Sequence, residues 1–242
     1  MSSNRRRLAV ALVPLLLSGT LSGTLAGCSG DGGGDTADKA ESDPAQVLAD
    51  AKAALDETPG VRLVLSTPAL PDGVSGVTKA EGIGTHQPAF DGKVSLVASG
   101  LSATADVVAV DGLVYASLAL LGPGFRKINP ADFGAPDPAQ LMDPDKGISN
   151  WLTQTQDAER GDRVRDGSDV LTGYEGTLPA AAVVSALPSA DPAGEFTAVY
   201  TVDDDGLLRT ASVTGPFYKG KPSLTYDVTF TEYGTEKEIT AP

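Results

Sequence analysis

Five Asp-Gly pairs, starting at Asp72, Asp91, Asp111, Asp166 and Asp205, punctuate a stretch whose apolar residues recur at every second position. Asp-Gly accepts the left-handed backbone of a two-residue hairpin turn at little cost, and a period of two puts alternate side chains on opposite faces of a strand. Together they predict a meander of antiparallel strands rather than βαβ units. In Val61-Arg62-Leu63-Val64-Leu65 the first, third and fifth residues share a face, as do Val94, Leu96 and Ala98 in the next clear run. A two-residue turn at Asp111-Gly112 pairs Val110 with Leu113, Ala109 with Val114 and Val107 with Ala116. One face then carries Ala105, Val107, Ala109, Val114, Ala116, Leu118 and Leu120, and the other carries Thr104, Asp106 and Ser117 among some apolar residues. A similar turn at Asp205-Gly206 gathers Phe196, Ala198, Tyr200, Val202, Ala211 and Val213 on one face, with Arg209 as a misfit. The last run sets Leu224, Tyr226, Val228 and Phe230 against Ser223, Thr225, Asp227, Thr229 and Thr231.

A sheet with one apolar face must cover it. Asp43 is placed to cap a helix with Pro44 in its first turn; Val47, Leu48, Ala51 and Leu55 form its stripe, and Thr58-Pro59-Gly60 stops it. Asp137 to Met142 reads as a capped helical turn. Ile148, Trp151 and Leu152 lie at helical spacing, and Pro179 to Leu187 reads as a short Ala/Val helix. These covers are short for so long a sheet. The inner face is lined largely by Ala, Val and Gly, and aromatics are only 5% of the chain. Under-filling of this kind leaves a cavity, and a plain Ala/Val core has the same composition.

Cys28 is the only cysteine in 242 residues, so no disulfide within the chain braces the fold. It follows Arg5-Arg6-Arg7, a short apolar run from Leu8 to Leu17, and Leu25-Ala26-Gly27. That order is an export signal too short to span a bilayer as a stable helix. Leu-Ala-Gly-Cys resembles the bacterial lipobox, which implies cleavage after residue 27 and a diacylglyceryl group, with or without a further N-acyl group, on Cys28. The expected product is exported and lipid-anchored to the outer face of the cell membrane. Residues 28–42, rich in Gly, Ser and Asp, read as a flexible tether, and residues 43–242 as a single domain. Loss of the three arginines takes the net charge from -14 to -17, a balance that excludes nucleic-acid binding and leaves anchoring to acyl chains.

Catalytic and metal sites are not expected. A Ser/His/Asp triad would need His86, the only histidine, and no Gly-x-Ser-x-Gly elbow exists. His86 reads as part of an exposed strand end or loop. Asp203-Asp204-Asp205-Gly206 lacks the spaced ligands and distal glutamate of an EF-hand and is better read as a turn, and zinc has too few soft ligands.

The runs Asp106-Val107-Val108-Ala109-Val110-Asp111-Gly112-Leu113-Val114-Tyr115-Ala116 and Asp137-Pro138-Ala139-Gln140-Leu141-Met142-Asp143-Pro144-Asp145-Lys146-Gly147-Ile148 resemble motifs of the LppX/LprG-like lipoproteins of actinobacteria. So does the ending Tyr233-Gly234 with Ile239-Thr240-Ala241-Pro242. The resemblance implies an α+β, LolA/LolB-like fold: a strongly curved antiparallel half-barrel with short helices over its concave face and an apolar cavity between. It further implies no enzyme and no cofactor. The expected cargo is a triacylated lipid or glycolipid moved through the envelope, in some members alongside a membrane exporter; the alternative is an anchored envelope binding or sensing module without lipid transfer. The matched wall is the Val94 strand with the inner faces registered above. The implied cavity residues are Leu63, Leu65, Val94, Leu96, Val107, Ala109, Val114, Ala116 and Leu118, with Tyr200, Tyr226 and Val228; Trp151 is a further candidate from its own position, a helix-to-sheet core place being the preferred reading for it. An acyl chain needs only apolar area, about 0.8 kcal/mol per buried CH₂, so no directional group is required.

Overall fold

The computed structural model describes residues 42–118 and 122–242. The signal segment, Cys28 and nearly all of the tether, together with the inward position expected for Leu120, lie outside the described residues. Helix α1 (Pro44–Glu57) starts where expected: the Asp43 side chain accepts from the Ala45 N–H, and Pro44 occupies the first turn. Its Leu48, Ala51 and Leu55 are buried. Six strands follow: β1 (Gly60–Ser66), β2 (Gly76–Thr85), β3 (Ala89–Ala98), β4 (Leu101–Val110), β5 (Leu113–Ser117) and β6 (Arg126–Ile128). Two 3₁₀ turns, Pro130–Phe133 and Pro138–Met142, lead to α2 (Ile148–Gln154). Then come β7 (Gln156–Asp166), β8 (Asp169–Leu178), α3 (Ala180–Ala186), β9 (Phe196–Asp203), β10 (Leu208–Gly215) and β11 (Leu224–Thr231).

All eleven strands join one antiparallel sheet in the order β6-β5-β4-β3-β2-β1-β11-β10-β9-β8-β7. The first strand therefore sits in the middle, paired with the last, and a meander runs outward on each side. The edges β6 and β7 do not pair, so the curved sheet is an open half-barrel. Bulges in β2, β7 and β10 interrupt the register. A bulge adds local twist and bend, which helps a sheet wrap around its covering helices. Those helices fill the concave side: α1, α2 and α3 bury Leu48, Leu55, Ile148, Trp151, Leu152 and Val183 against inward residues such as Leu63, Tyr200 and Phe230.

The Asp-Gly pairs divide by context. Asp111-Gly112 is the expected two-residue turn, with Val110 opposite Leu113 and Val107 opposite Ala116; both turn residues have positive φ, 55° and 69°. Asp72-Gly73 turns within a longer connection between β1 and β2. Near Asp166 the turn is shifted by one, since Asp166 pairs with Asp169 around Gly167-Ser168. Asp91-Gly92 is no turn at all and lies inside β3. There Gly92 faces Gly82, and a Cβ on either glycine would come within 2.8 Å of Phe90 Cζ. The glycine pair is a seat for a phenyl ring.

At Asp205-Gly206 the connection is longer than two residues. The Asp203 N–H donates to the Leu207 carbonyl, Leu208 pairs with Val202, and a bulge separates Leu208 from Thr210. The bulge removes the misfit of the simple register. Leu208 becomes the fully buried inward residue, and Arg209 turns out toward Asp169 and Asp203 at 3.5 and 3.6 Å. Asp203 Oδ1 accepts from the Asp205 and Leu207 N–H groups, so this acidic run organises its own turn.

Candidate functional site: an apolar cavity

Between the concave face of β2–β5 and the 3₁₀ turns lies a cavity of about 440 Å³. Its floor is built by sequence alternation. Ala80, Val94 and Ala105 stand side by side across three strands, and Val107 pairs with Ala116. These inward side chains are short, and nothing large enters from above to fill the space over them. Past one end, outside the lining, Phe90 occupies the glycine seat and Met142 packs on Gly84, where a Cβ would meet Met142 Cγ at 2.6 Å. The other end runs toward the β3–β4 turn and ends beside Leu101, Ser102, Gly124 and Arg126, all exposed.

The roof comes from Ile128, Pro130, Phe133, the Gly134-Ala135-Pro136 segment, Pro138 and Leu141, completed by Leu187, Phe217 and Tyr218. Asp137 fixes one roof turn by accepting from the Ala139 N–H at 2.9 Å, and burial raises its carboxyl above the ordinary range. Polar atoms in the wall are already paired. Tyr226 Oη donates to the Val77 carbonyl at 2.8 Å and is 3.0 Å from Tyr218 Oη; burial pushes both phenols up. Phe217 meets Tyr226 edge to face at 5.0 Å. The cavity thus offers shape and apolar surface, and among the described residues none of its lining side chains holds a buried N or O without a partner.

Eight of the residues expected to line a cavity are brought together here: Leu65, Val94, Leu96, Val107, Val114, Ala116, Leu118 and Tyr226. Leu63, Ala109, Trp151, Tyr200 and Val228 do not line it and belong to the closed core. The reason is cover rather than register. All the sheet residues among them face inward, but Leu63, Tyr200 and Val228 are buried in one closed cluster with Leu48, Leu55, Ile148 and Leu152 of the helices. Trp151 Nε1 donates to the Ala182 carbonyl at 3.1 Å, and Tyr200 Oη is paired with Thr155 Oγ1 at 2.9 Å. Both polar atoms are satisfied within the protein, and burial raises the Tyr200 phenol.

Not expected in the roof were Phe133, Pro136, Leu187, Phe217 and Tyr218: Leu187 closes the short helix read from Pro179, Phe133 ends a 3₁₀ turn, and the others lie between regular elements, where no periodicity marks an inward side. Only the Asp137 cap signalled that a covering element begins there. His86 also departs from expectation. It occupies the β2–β3 turn, yet its ring is half-buried, with both nitrogens shielded and lacking a hydrogen-bond partner among the described residues. Desolvation lowers its pKa, offset in part by Asp56 and by nearby backbone of Met142 and Leu55. It is absent from the cavity lining. Among the described residues no helix is long and apolar enough to cross a membrane.

Residues 43–241 match the LppX_LprAFG lipoprotein family. A lipoarabinomannan carrier protein LprG of Mycolicibacterium smegmatis is 29% identical over 222 residues, 86% of each chain. The LprG of Mycobacterium tuberculosis is 25% identical over 209 residues, covering 83% of this chain and 82% of its own. Among solved structures, LprF from Mycobacterium bovis superposes with a TM-score of 0.63 at 17% identity, over 82% of this chain and 96% of its own. LppX from Mycobacterium tuberculosis gives 0.57 at 15% identity, over 81% and 98%. These structures share the open antiparallel sheet and its covering helices.

Proposed function

Because the chain belongs to the LppX_LprAFG lipoprotein family, we propose that it is a carrier that takes an acyl chain of an envelope lipid into the cavity under Pro130–Leu141 and moves it between sites in the envelope. The observation that carries this reading is a cavity lined almost throughout by apolar side chains, with the Tyr218 and Tyr226 hydroxyls paired within the wall. An apolar space of about 150 Å³ accommodates benzene, which is about 25 Å³ per carbon. On that scale the cavity encloses about 18 carbons, one long chain, and its burial at ~0.8 kcal/mol per CH₂ comes to ~14 kcal/mol before the costs of association. A triacylated lipid or glycolipid would place one chain inside and pass the others and the headgroup out beside Leu101. The related LprG proteins, named as lipoarabinomannan carriers, support a carrier role of this kind.

A carrier needs no reacting group, and we read the chain as a non-enzyme with no cofactor. We read Cys28 as the acylated residue, residues 28–42 as the tether and residues 43–242 as the carrier domain, held at the outer face of the cell membrane; a membrane exporter is the partner such a carrier would serve. The decisive measurement is native mass spectrometry of residues 42–242 purified from the native host. The wild type should retain lipid. Val94→Trp, which sets an indole into the gap between Ala80 and Ala105, should reduce bound lipid at least tenfold while leaving a folded domain. A wild type that emerges without lipid, or a variant that retains it in full, would overturn the carrier reading.

A further inference from the structure

Four large apolar side chains among the described residues stand exposed, and two of them, Leu101 and Phe125, are 73% and 39% exposed at the open end of the cavity. Leu101 begins β4 and lines the opening; Phe125 lies between Gly124 and Arg126, which line it too. The same rim holds the only charged residues of the lining, Arg126 and Lys127. Arg126 pairs in register with Ala116, so it takes an inward position at the end of an edge strand. Along β1–β6 every other inward position is apolar or glycine. Neither cation has an ion-pair or hydrogen-bond partner among the described residues. Such pairing would have been easy in a chain with 32 acidic and 18 basic residues. Elsewhere Lys93, Lys79, Arg62 and Arg163 each hold a carboxylate.

We infer that the rim formed by Leu101, Phe125, Arg126 and Lys127 is a docking surface for an anionic lipid bilayer, and that it seats the cavity mouth against the hydrocarbon from which cargo is drawn. Charge and shape act together at this rim. A chain with a net charge of -14 is repelled by an anionic leaflet over most of its surface. A local pair of free cations reverses that repulsion in one place, each strengthening attachment about fivefold at the surface. Arg126 faces inward opposite Ala116 and Lys127 outward opposite Tyr115 on the same edge strand; Phe125 next to them and Leu101 at the start of β4 enter the interface, where an apolar side chain is stabilised relative to water. Docking by this rim is also the geometry in which an acyl chain passes from bilayer to cavity without crossing water.

The inference rests on the carrier reading for its purpose but is tested apart from it. Residues 42–242 contain the whole core described above and are the unit to use. Co-sedimentation is measured with vesicles of phosphatidylcholine alone and of phosphatidylcholine with phosphatidylglycerol in equal parts. Wild type should pellet with the mixed vesicles only, and less so as salt is raised. Arg126→Gln with Lys127→Gln should weaken that binding at least tenfold, and Leu101→Ser with Phe125→Ser should weaken it as much. Val94→Trp should leave it intact. Binding to neutral and anionic vesicles alike, no binding to either, or binding indifferent to the rim substitutions would overturn the inference. Uptake of the fluorescent fatty acid cis-parinaric acid by wild type, measured without vesicles, reports separately on the cavity. Uptake without vesicle docking sinks the docking surface alone, and docking without uptake sinks the carrier reading.

Discussion

Gly82 and Gly92 show how one side chain decides what its neighbours enclose. With no Cβ on either strand, Phe90 drops onto the backbone just beyond the end of the cavity marked by Ala80 and Val94. A valine at position 92 would collide with the Glu81 carbonyl and lift the phenyl ring. We expect Gly92→Val to cost about 1–3 kcal/mol of stability in urea denaturation. His86 makes a prediction of another kind. Burial holds the folded imidazole below its ordinary 6.5. The unfolded chain therefore binds more protons between the two values, so stability rises with pH across that window. The contribution of this group is complete above the unfolded value and is lost as pH falls through the folded one. Thermal melts at about pH 7.5 and about pH 5 should show a drop for wild type that His86→Asn reduces. Alternation in the sequence made Leu63 and Leu65 equivalent, since both face inward. What separates them is that Leu65 borders the cavity while Leu63 lies in the closed core, near Gly84 where Met142 packs, a property of elements distant in sequence.

At the level of elements, legibility followed the number of wet faces. Strands with one wet face, such as β5, β9 and β11, alternate and were read correctly, as was the Asp111-Gly112 turn between β4 and β5. Strand β7 is exposed along almost its whole length and carries charge throughout, so it offered no pattern. Charged residues are what an exposed edge strand carries to discourage pairing with another chain. The bulge at Arg209 was visible only as a misfit, and its meaning needed the partner strand. The roof depends on a different device. Asp137 caps the turn that carries Leu141 and Met142, and removing its carboxylate leaves the shielded Ala139 N–H without an acceptor. Asp137→Ala should cost roughly 1 kcal/mol, and amide exchange at Ala139 should accelerate before that of the flanking strands.

In the whole molecule the open sheet has two halves of unlike character. The side of β2–β6 is under-filled and holds the cavity, while β8–β11 is packed with Tyr174, Phe196, Tyr200 and Phe230. The halves meet where β1 pairs with β11, from Arg62 opposite Thr231 to Ser66 opposite Asp227. Beyond β11 the chain stitches itself to that seam. Tyr233 Oη donates to the Leu208 carbonyl at 2.6 Å, the Gly234 N–H to Thr58 Oγ1 at 2.8 Å, and the Thr235 N–H to the Gly60 carbonyl at 3.1 Å. A chain stopped after Ser223 should lose cooperative thermal unfolding and bind a dye for exposed apolar surface, as loosely packed states do. A retained sharp transition would contradict the seam's role.

That seam also sets an order of events during synthesis. A polypeptide emerges from its first residue to its last, and here the central strand of the sheet is the first strand made while its second neighbour is the last. From the moment β1 pairs with β2 until Leu224–Thr231 appears, one edge of β1 has no partner, and an unpaired edge invites association with other chains. The growing protein must therefore carry an unsealed sheet for most of its production, which makes the interval before β11 arrives its period of greatest exposure to aggregation and to holding chaperones.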